Sequence, residues 1–228
     1  MRKTFFLALV FLIGCSGRPG SPAALKQPDL AHGRLQVERM LRDRPVMRNL
    51  VQEDDELYQW AVRQYAGERL GHPIDWNPAD GKESIGRFSS QRHRGEICIS
   101  KFVESKEKAP ESQSFDGLWG SFFIQTQYIE TRRDRPELML LAVGAGISRV
   151  DFIRRNAQLD FAAAQRAREV VLTVWKPWSE GKLLNPYLVE YYENLPVNFG
   201  EWLQRVETTS AYSSEQYGKI WDDINRLR

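Results

Sequence analysis

Residues 148–175 read SRVDFIRRNAQLDFAAAQRAREVVLTVW, and no other stretch says as much about the fold. Val150, Ile153, Ala157, Phe161, Ala164, Ala167, Val171 and Val174 recur at threes and fours, the spacing that lays side chains along one side of an α-helix. Ser148 followed by Asp151 has the form of a capping box, so the helix is expected to open there. Pro177 lacks a backbone N–H and is expected to end or kink it. Working outward, Gly144 and Gly146 close a preceding helix at 137–143, which Asp134-Arg135-Pro136 separates from a larger one at 115–132. Ser114 can cap that larger helix, and Phe115, Leu118, Trp119, Phe122, Phe123 and Ile129 make its wide apolar stripe. Downstream, Asn185-Pro186 opens a short aromatic segment ending before Pro196, and Asn198 caps a helix at 199–206. Ser213 with Gln216 starts a last helix striped by Tyr217, Ile220, Trp221, Ile224 and Leu227.

The front half is less regular. A short helix is expected at 35–42 and a better one at 54–70, where Leu57, Trp60, Ala61 and Tyr65 share a face until Gly71 and His72-Pro73 stop it. Residues 71–95 are rich in Gly, Pro, Asn, Asp and Ser and read as a long loop, with 85–88 a candidate short strand. Residues 96–103 (EICISKFV) alternate as a strand, and a lone strand cannot satisfy its own backbone, so a partner must come from 85–88 or 46–51. The expected fold class is mainly α (α+β): a single helical domain over residues 31–228 with one small β-sheet of two or three strands.

Composition supports a packed core, with 228 residues, 42% hydrophobic and 11% aromatic. The 32 Lys and Arg against 30 Asp and Glu include Arg2 and Lys3 at the extreme amino terminus, so the remainder is formally neutral. A neutral chain with interspersed signs lacks the basic face that phosphate recognition needs, and no nucleic-acid partner is expected.

Arg2 and Lys3 precede nine apolar residues at 5–13 (FFLALVFLI), too few to span a bilayer, which takes roughly 20. The run ends Leu12-Ile13-Gly14-Cys15, which resembles the lipobox of bacterial lipoproteins: an aliphatic residue, a small residue, then the cysteine. The thiol can take a diacylglycerol as a thioether, and the small residue gives a signal peptidase access to the bond. The resemblance implies a signal peptide over 1–14, cleavage before Cys15, lipidation of Cys15 and acylation of the new terminus. It places the chain in the cell envelope, with the membrane as a partner through Cys15. Ser16 after the cysteine favours the outer over the inner membrane, and the folded domain would stand in the periplasm or at the surface. Residues 16–30 carry two Gly, three Pro and two Ser without apolar period, and read as a tether with a reach of roughly 20 Å.

Catalytic signatures are thin. His32, His72 and His93 lie far apart in sequence, so no paired-histidine metal site is expected, and no cofactor either. The order strand, helix, long helix is similar to the core of zinc-dependent peptidases, but the helix at the corresponding place reads FIQTQY over 123–128, without H-E-x-x-H. The resemblance therefore implies an inactive relic. Cys98 sits within an apolar strand and reads as a buried structural thiol. Gly144-Ala145-Gly146 has Arg149 where a dinucleotide fingerprint needs its third glycine. Glycan cleavage would need two carboxyl groups about 5 to 9.5 Å apart. The candidates are Asp75 beside Trp76 in the long loop, Asp116 and Glu130 on one helix, and Glu190 with Glu193. Trp76, Trp175 and Trp178 sit in or beside loops, and Trp76 and Trp178 are candidate sugar-binding platforms, whereas Trp60, Trp119 and Trp221 belong to helix stripes. The leading expectation is a non-catalytic binding or scaffolding domain for an envelope protein or glycan. The alternatives are a carboxylate-based hydrolase of an envelope polymer and the peptidase-like relic.

Overall fold

The computed structural model describes residues 27–78, 84–89, 94–103, 111–209 and 212–226; the leader, Cys15, the first part of the tether and His93 lie outside them. The chain enters α1 (Leu30–Asp43) with Asp29 as its cap, Oδ1 accepting the His32 N–H at 2.9 Å. Helix α1 is longer than the 35–42 expected because its apolar face, with Val37, Met40 and Leu41, is read out only against α2 (Glu56–Tyr65). Gly33 makes the crossing possible, since a Cβ there would stand 2.3 Å from the Val62 carbonyl oxygen. On α2 the expected face of Leu57, Trp60, Ala61 and Tyr65 is buried.

Three short strands follow: β1 (Ile74–Trp76), β2 (Ile85–Ser89) and β3 (Arg94–Cys98). They form one mixed sheet in the order β1-β3-β2, with β1 parallel to β3 and β2 antiparallel to it. The partner at 85–88 is therefore present, while 46–51 contributes none: Pro45–Arg48 is a 3-10 turn. Residues 96–103 are not one strand. The chain turns at Ser100, whose N–H donates to Ser84 Oγ at 3.0 Å and whose carbonyl accepts from Gln113 Nε2 at 2.9 Å. Beyond the turn, β4 (Phe102–Val103) pairs antiparallel with β5 (Glu111–Ser112) in a separate ribbon. Strand β1 falls inside the segment expected to be loop. The four residues between Pro73 and Pro78 carry no alternation of their own, and the strand exists because β3, some twenty residues on, supplies its ladder.

The sheet lies on α3 (Phe115–Thr131), opened by Ser114 Oγ, which accepts the Gly117 N–H at 3.2 Å. Gly86 of β2 donates its N–H to Gln125 Oε1 at 2.7 Å, and any side chain at 86 would strike the Gln125 carbonyl. After a 3-10 turn at Arg132–Asp134, α4 (Arg135–Val143) leads to α5 (Arg149–Val170), capped as expected by Ser148, whose Oγ accepts the Asp151 N–H at 3.1 Å. Pro177 does not stop the long helix. Val171–Trp175 widens into a π-helical turn, with the Lys176 N–H reaching back five residues to the Val171 carbonyl, and α6 (Lys176–Ser179) continues with Pro177 in its first turn. Then come α7 (Tyr187–Glu193), α8 (Phe199–Thr209), whose cap Asn198 Oδ1 accepts the Gly200 N–H at 2.8 Å, and α9 (Glu215–Arg226).

The main core lies between α2, α3 and the end of the long helix. Trp60, Trp119, Phe122, Phe123 and Trp175 meet there with ring centroids 5.3 to 6.0 Å apart. A second, smaller cluster, comprising Leu138, Ala142, Ile147, Phe152 and Tyr217, joins α4 and α9 to the first turns of α5. Among the described residues no helix is long and apolar enough to cross a membrane.

Candidate functional site

The five candidate carboxylates are distributed over the molecule. Asp75, on β1, pairs with Arg94 at 3.2 Å and stands 3.3 Å from His32 Nε2. Glu130, near the end of α3, is held between Arg69 at 3.2 Å and Arg166 at 3.0 Å. Asp116 lies fourteen residues earlier on the same helix, about 21 Å away at the helical rise, too far to share one glycosidic bond with Glu130. On α7, Glu193 bonds Lys176 Nζ at 2.7 Å, while Glu190 is exposed. Asp116 is the chemically distinctive one. Burial pushes its carboxyl above the usual range, partly offset by backbone N–H groups of Asn185 and of Asp116 itself.

Neither tryptophan platform is exposed. Trp76 is buried, its Nε1–H donating to Asp43 Oδ2 at 2.8 Å and its backbone N–H to Gln36 Oε1 at 2.9 Å. The Arg44 guanidinium lies 5.2 Å above its ring. Trp178 is buried too, because the π-helical turn carries the helix past Pro177 and brings the ring against Phe115 and Trp175. Its Nε1–H donates to Asp55 Oδ2 at 2.8 Å. Trp175, also expected beside a loop, is at the centre of the main core. Cys98 is buried, as read from its strand.

The helix segment at 123–128 meets β2 directly. Gln125 is occupied by Gly86, and Gln127 is buried with its Nε2 donating to Thr126 Oγ1 at 3.1 Å. Among the described residues no group of three or more His, Cys, Asp or Glu is placed to hold a metal ion.

Two features escaped the sequence reading. The first is Asp160, 2% exposed on α5. Its carboxylate accepts from Tyr212 Oη at 3.2 Å, from Tyr217 Oη and from the Arg135 guanidinium, which also donates to Tyr217 Oη at 2.9 Å. Burial, and then the Asp160 charge, drive both phenols well above their ordinary pKa, so they stay protonated as donors. With three donors on one carboxylate, the cluster is a latch that pins α4 and α9 to α5. Its signal was present: Phe152, Asn156, Asp160, Ala163 and Ala167 form a second line at helical spacing, and all are buried, so two polar residues sat on a core face.

The second is a groove of about 540 Å³ between the start of α5, α8 and the start of α9. Val150, Ile153, Ala157, Phe199 and Leu203 are its apolar lining, and Arg149 closes one end by bridging Glu215 and, at 3.1 Å, Asp222. Val150, expected on the core side of the long helix, is exposed here. The first turns of α5 pack through Phe152 into the smaller cluster and leave Val150 outside, whereas Ala157, Ala164, Ala167 and Val171 of the same expected stripe are buried.

The chain matches no protein-family model, no curated protein and no solved structure.

Proposed function

We propose that this chain is a lipid-anchored lipoprotein of the cell envelope whose helical domain holds an apolar segment of another envelope protein and performs no reaction of its own. The observation that carries the binding role is the groove between α5, α8 and α9, with five apolar side chains along it, Val150 among them exposed. Its chemistry favours a peptide over a glycan. Four aliphatic side chains and Phe199 make its apolar part beside Arg149, Arg154, Ser214 and Glu215, a mixture that suits an amphipathic segment. The two indoles best suited to a sugar ring, Trp76 and Trp178, are buried with their N–H groups committed. The envelope location rests on the lipobox-like Leu12-Ile13-Gly14-Cys15.

Both halves are testable on the full-length protein in its own envelope. Wild type should enter the detergent phase on phase partition and Cys15→Ala should not; a Cys15→Ala protein that still partitions removes the anchor. Extracted in mild detergent, wild type should migrate as a complex larger than one chain, and Leu203→Glu should collapse it while leaving the circular dichroism unchanged. Wild type migrating as a single chain, or a complex indifferent to Leu203→Glu, would remove the binding role.

A further inference from the structure

The face of α4 turned away from the protein is apolar. Pro136, Met139, Leu140 and Val143 stand at i, i+3, i+4 and i+7 and are all exposed, Leu140 by 71%. The opposite face, Leu138 and Ala142, is already buried in the smaller cluster, so α4 is apolar on both sides. The turn that follows, Gly144-Ala145-Gly146, is exposed and apolar as well, and Ala145 takes a left-handed φ of 55° where asparagine or glycine would ordinarily stand. No charged residue occurs from 138 to 148. A contiguous apolar stripe along one helix face, next to a turn without charged side chains, is the kind of surface that can lie against an apolar surrounding.

The fold says what that surrounding is. The anchored end of the chain enters at Asp29, whose N–H donates to the Ala66 carbonyl at 3.3 Å. The residue that leads into α4, Arg133, donates from Nη1 to the Leu70 carbonyl at 3.4 Å. Ala66 and Leu70 lie within about 15 Å of each other along the chain, and the Gly71 N–H folds this segment back onto the Gly67 carbonyl at 2.8 Å. The tether therefore joins the body on the same segment, 66–71, that receives Arg133 at the entry to α4, and the fifteen residues from Cys15 to Leu30 can reach at most about 54 Å.

We propose that the Pro136-Met139-Leu140-Val143 face of α4, with the Gly-Ala-Gly turn, rests on the lipid bilayer that holds Cys15. This rests on the anchor of the preceding section. A few exposed side chains are too small an area for a stable protein–protein interface, which takes roughly 1,200 Å² or more, but a tether makes the contact intramolecular, so weak insertion suffices. Arg133 and Arg135 stand beside Asp134 and Glu137 at the start of the stripe, so the local charge balances and apolar burial drives the contact.

The test uses the full-length lipidated protein in phosphatidylcholine vesicles, with an environment-sensitive fluorophore on Leu140→Cys or, as control, on the fully exposed Leu183→Cys. Protein without an added cysteine reports labelling at the buried Cys98. The Leu140 probe should be blue-shifted and quenched by spin-labelled lipid several-fold more than the Leu183 probe, equally with and without phosphatidylglycerol. Protein that floats with the vesicles while both probes are quenched alike overturns the proposal and leaves the anchor standing. A Leu140 probe that is blue-shifted yet beyond the reach of the lipid quencher also overturns it, since protein then covers the face. Protein that does not float at all overturns the anchor, and this orientation with it.

Discussion

The main core and the corner formed by α4 and α9 are held by different forces. In the main core, indole and phenyl rings meet edge to face among aliphatic side chains, and the only polar business of a residue such as Trp119 is one N–H donated to the Met47 carbonyl at 3.1 Å. The corner has five buried apolar side chains, and its cohesion is polar: Asp160 gathers Arg135, Tyr212 and Tyr217, and Arg149 bridges Glu215 and Asp222. Apolar burial is non-directional and tolerates small shifts, whereas a buried carboxylate with three donors holds one arrangement and fails when a donor leaves. The corner should therefore open separately, with the body intact.

The largest effect is expected from Trp119→Ala, which empties the centre of the ring cluster and should cost about 3–5 kcal/mol, read as a lower urea midpoint shared by every probe. A midpoint near wild type would mean that the rings are not what holds the body. Asp160→Ala should cost somewhat less, about 2–3 kcal/mol, since Arg135 and the two phenols lose their acceptor but Arg135 can turn toward solvent. Its discriminating readout is hydrogen exchange: amides of α9 should lose protection while those of α3 keep theirs. Equal loss in both helices would merge the two regions into one cooperative unit.

Alkaline pH probes the same contrast. Tyr58 is pushed up to about 12 by burial and then by its bond to Glu38, and burial also raises Tyr65, Tyr191, Tyr192, Tyr212 and Tyr217. Below the ordinary pKa of about 10 these neutral phenols contribute in full. Above it the unfolded chain releases protons that the folded chain keeps, so stability falls as pH rises toward 12 and beyond. Tyrosinate absorbance should lag in the native protein and then jump together with loss of helical signal. A smooth titration of these six at ordinary pH would contradict their burial. The smallest effect is expected from Arg149→Ala, an exposed bridge whose loss should loosen only the start of α9 and should disappear at about 1 M salt. An effect independent of salt would show that the side chain acts by packing.

How much of this could be read locally depends on sequence distance. Ser114, Ser148 and Asn198 cap the helices they precede, because a cap is a bond across two or three residues. The stripes of α2 and α3 were legible for the same reason. The long helix showed two faces, and which one would be buried where was not legible: Val150 ended in the groove, while the line through Asn156 and Asp160 went inside. Pro177 interrupts the regular helix without ending it, because its ring forbids one particular hydrogen bond and the π-helical turn before it removes the need for that bond.

From the sequence alone came the mainly helical class with a small sheet, the formally neutral surface and the expectation of a lipid anchor at Cys15, since periodicity, composition and a leader are local properties of a chain. Only the tertiary structure could pair Ile74–Trp76 with β3, bury Trp76 and Trp178 and gather Asp160 with residues 25 and more than 50 positions away. Those contacts depend on which packed arrangement brings distant backbone together, and no local pattern records that choice.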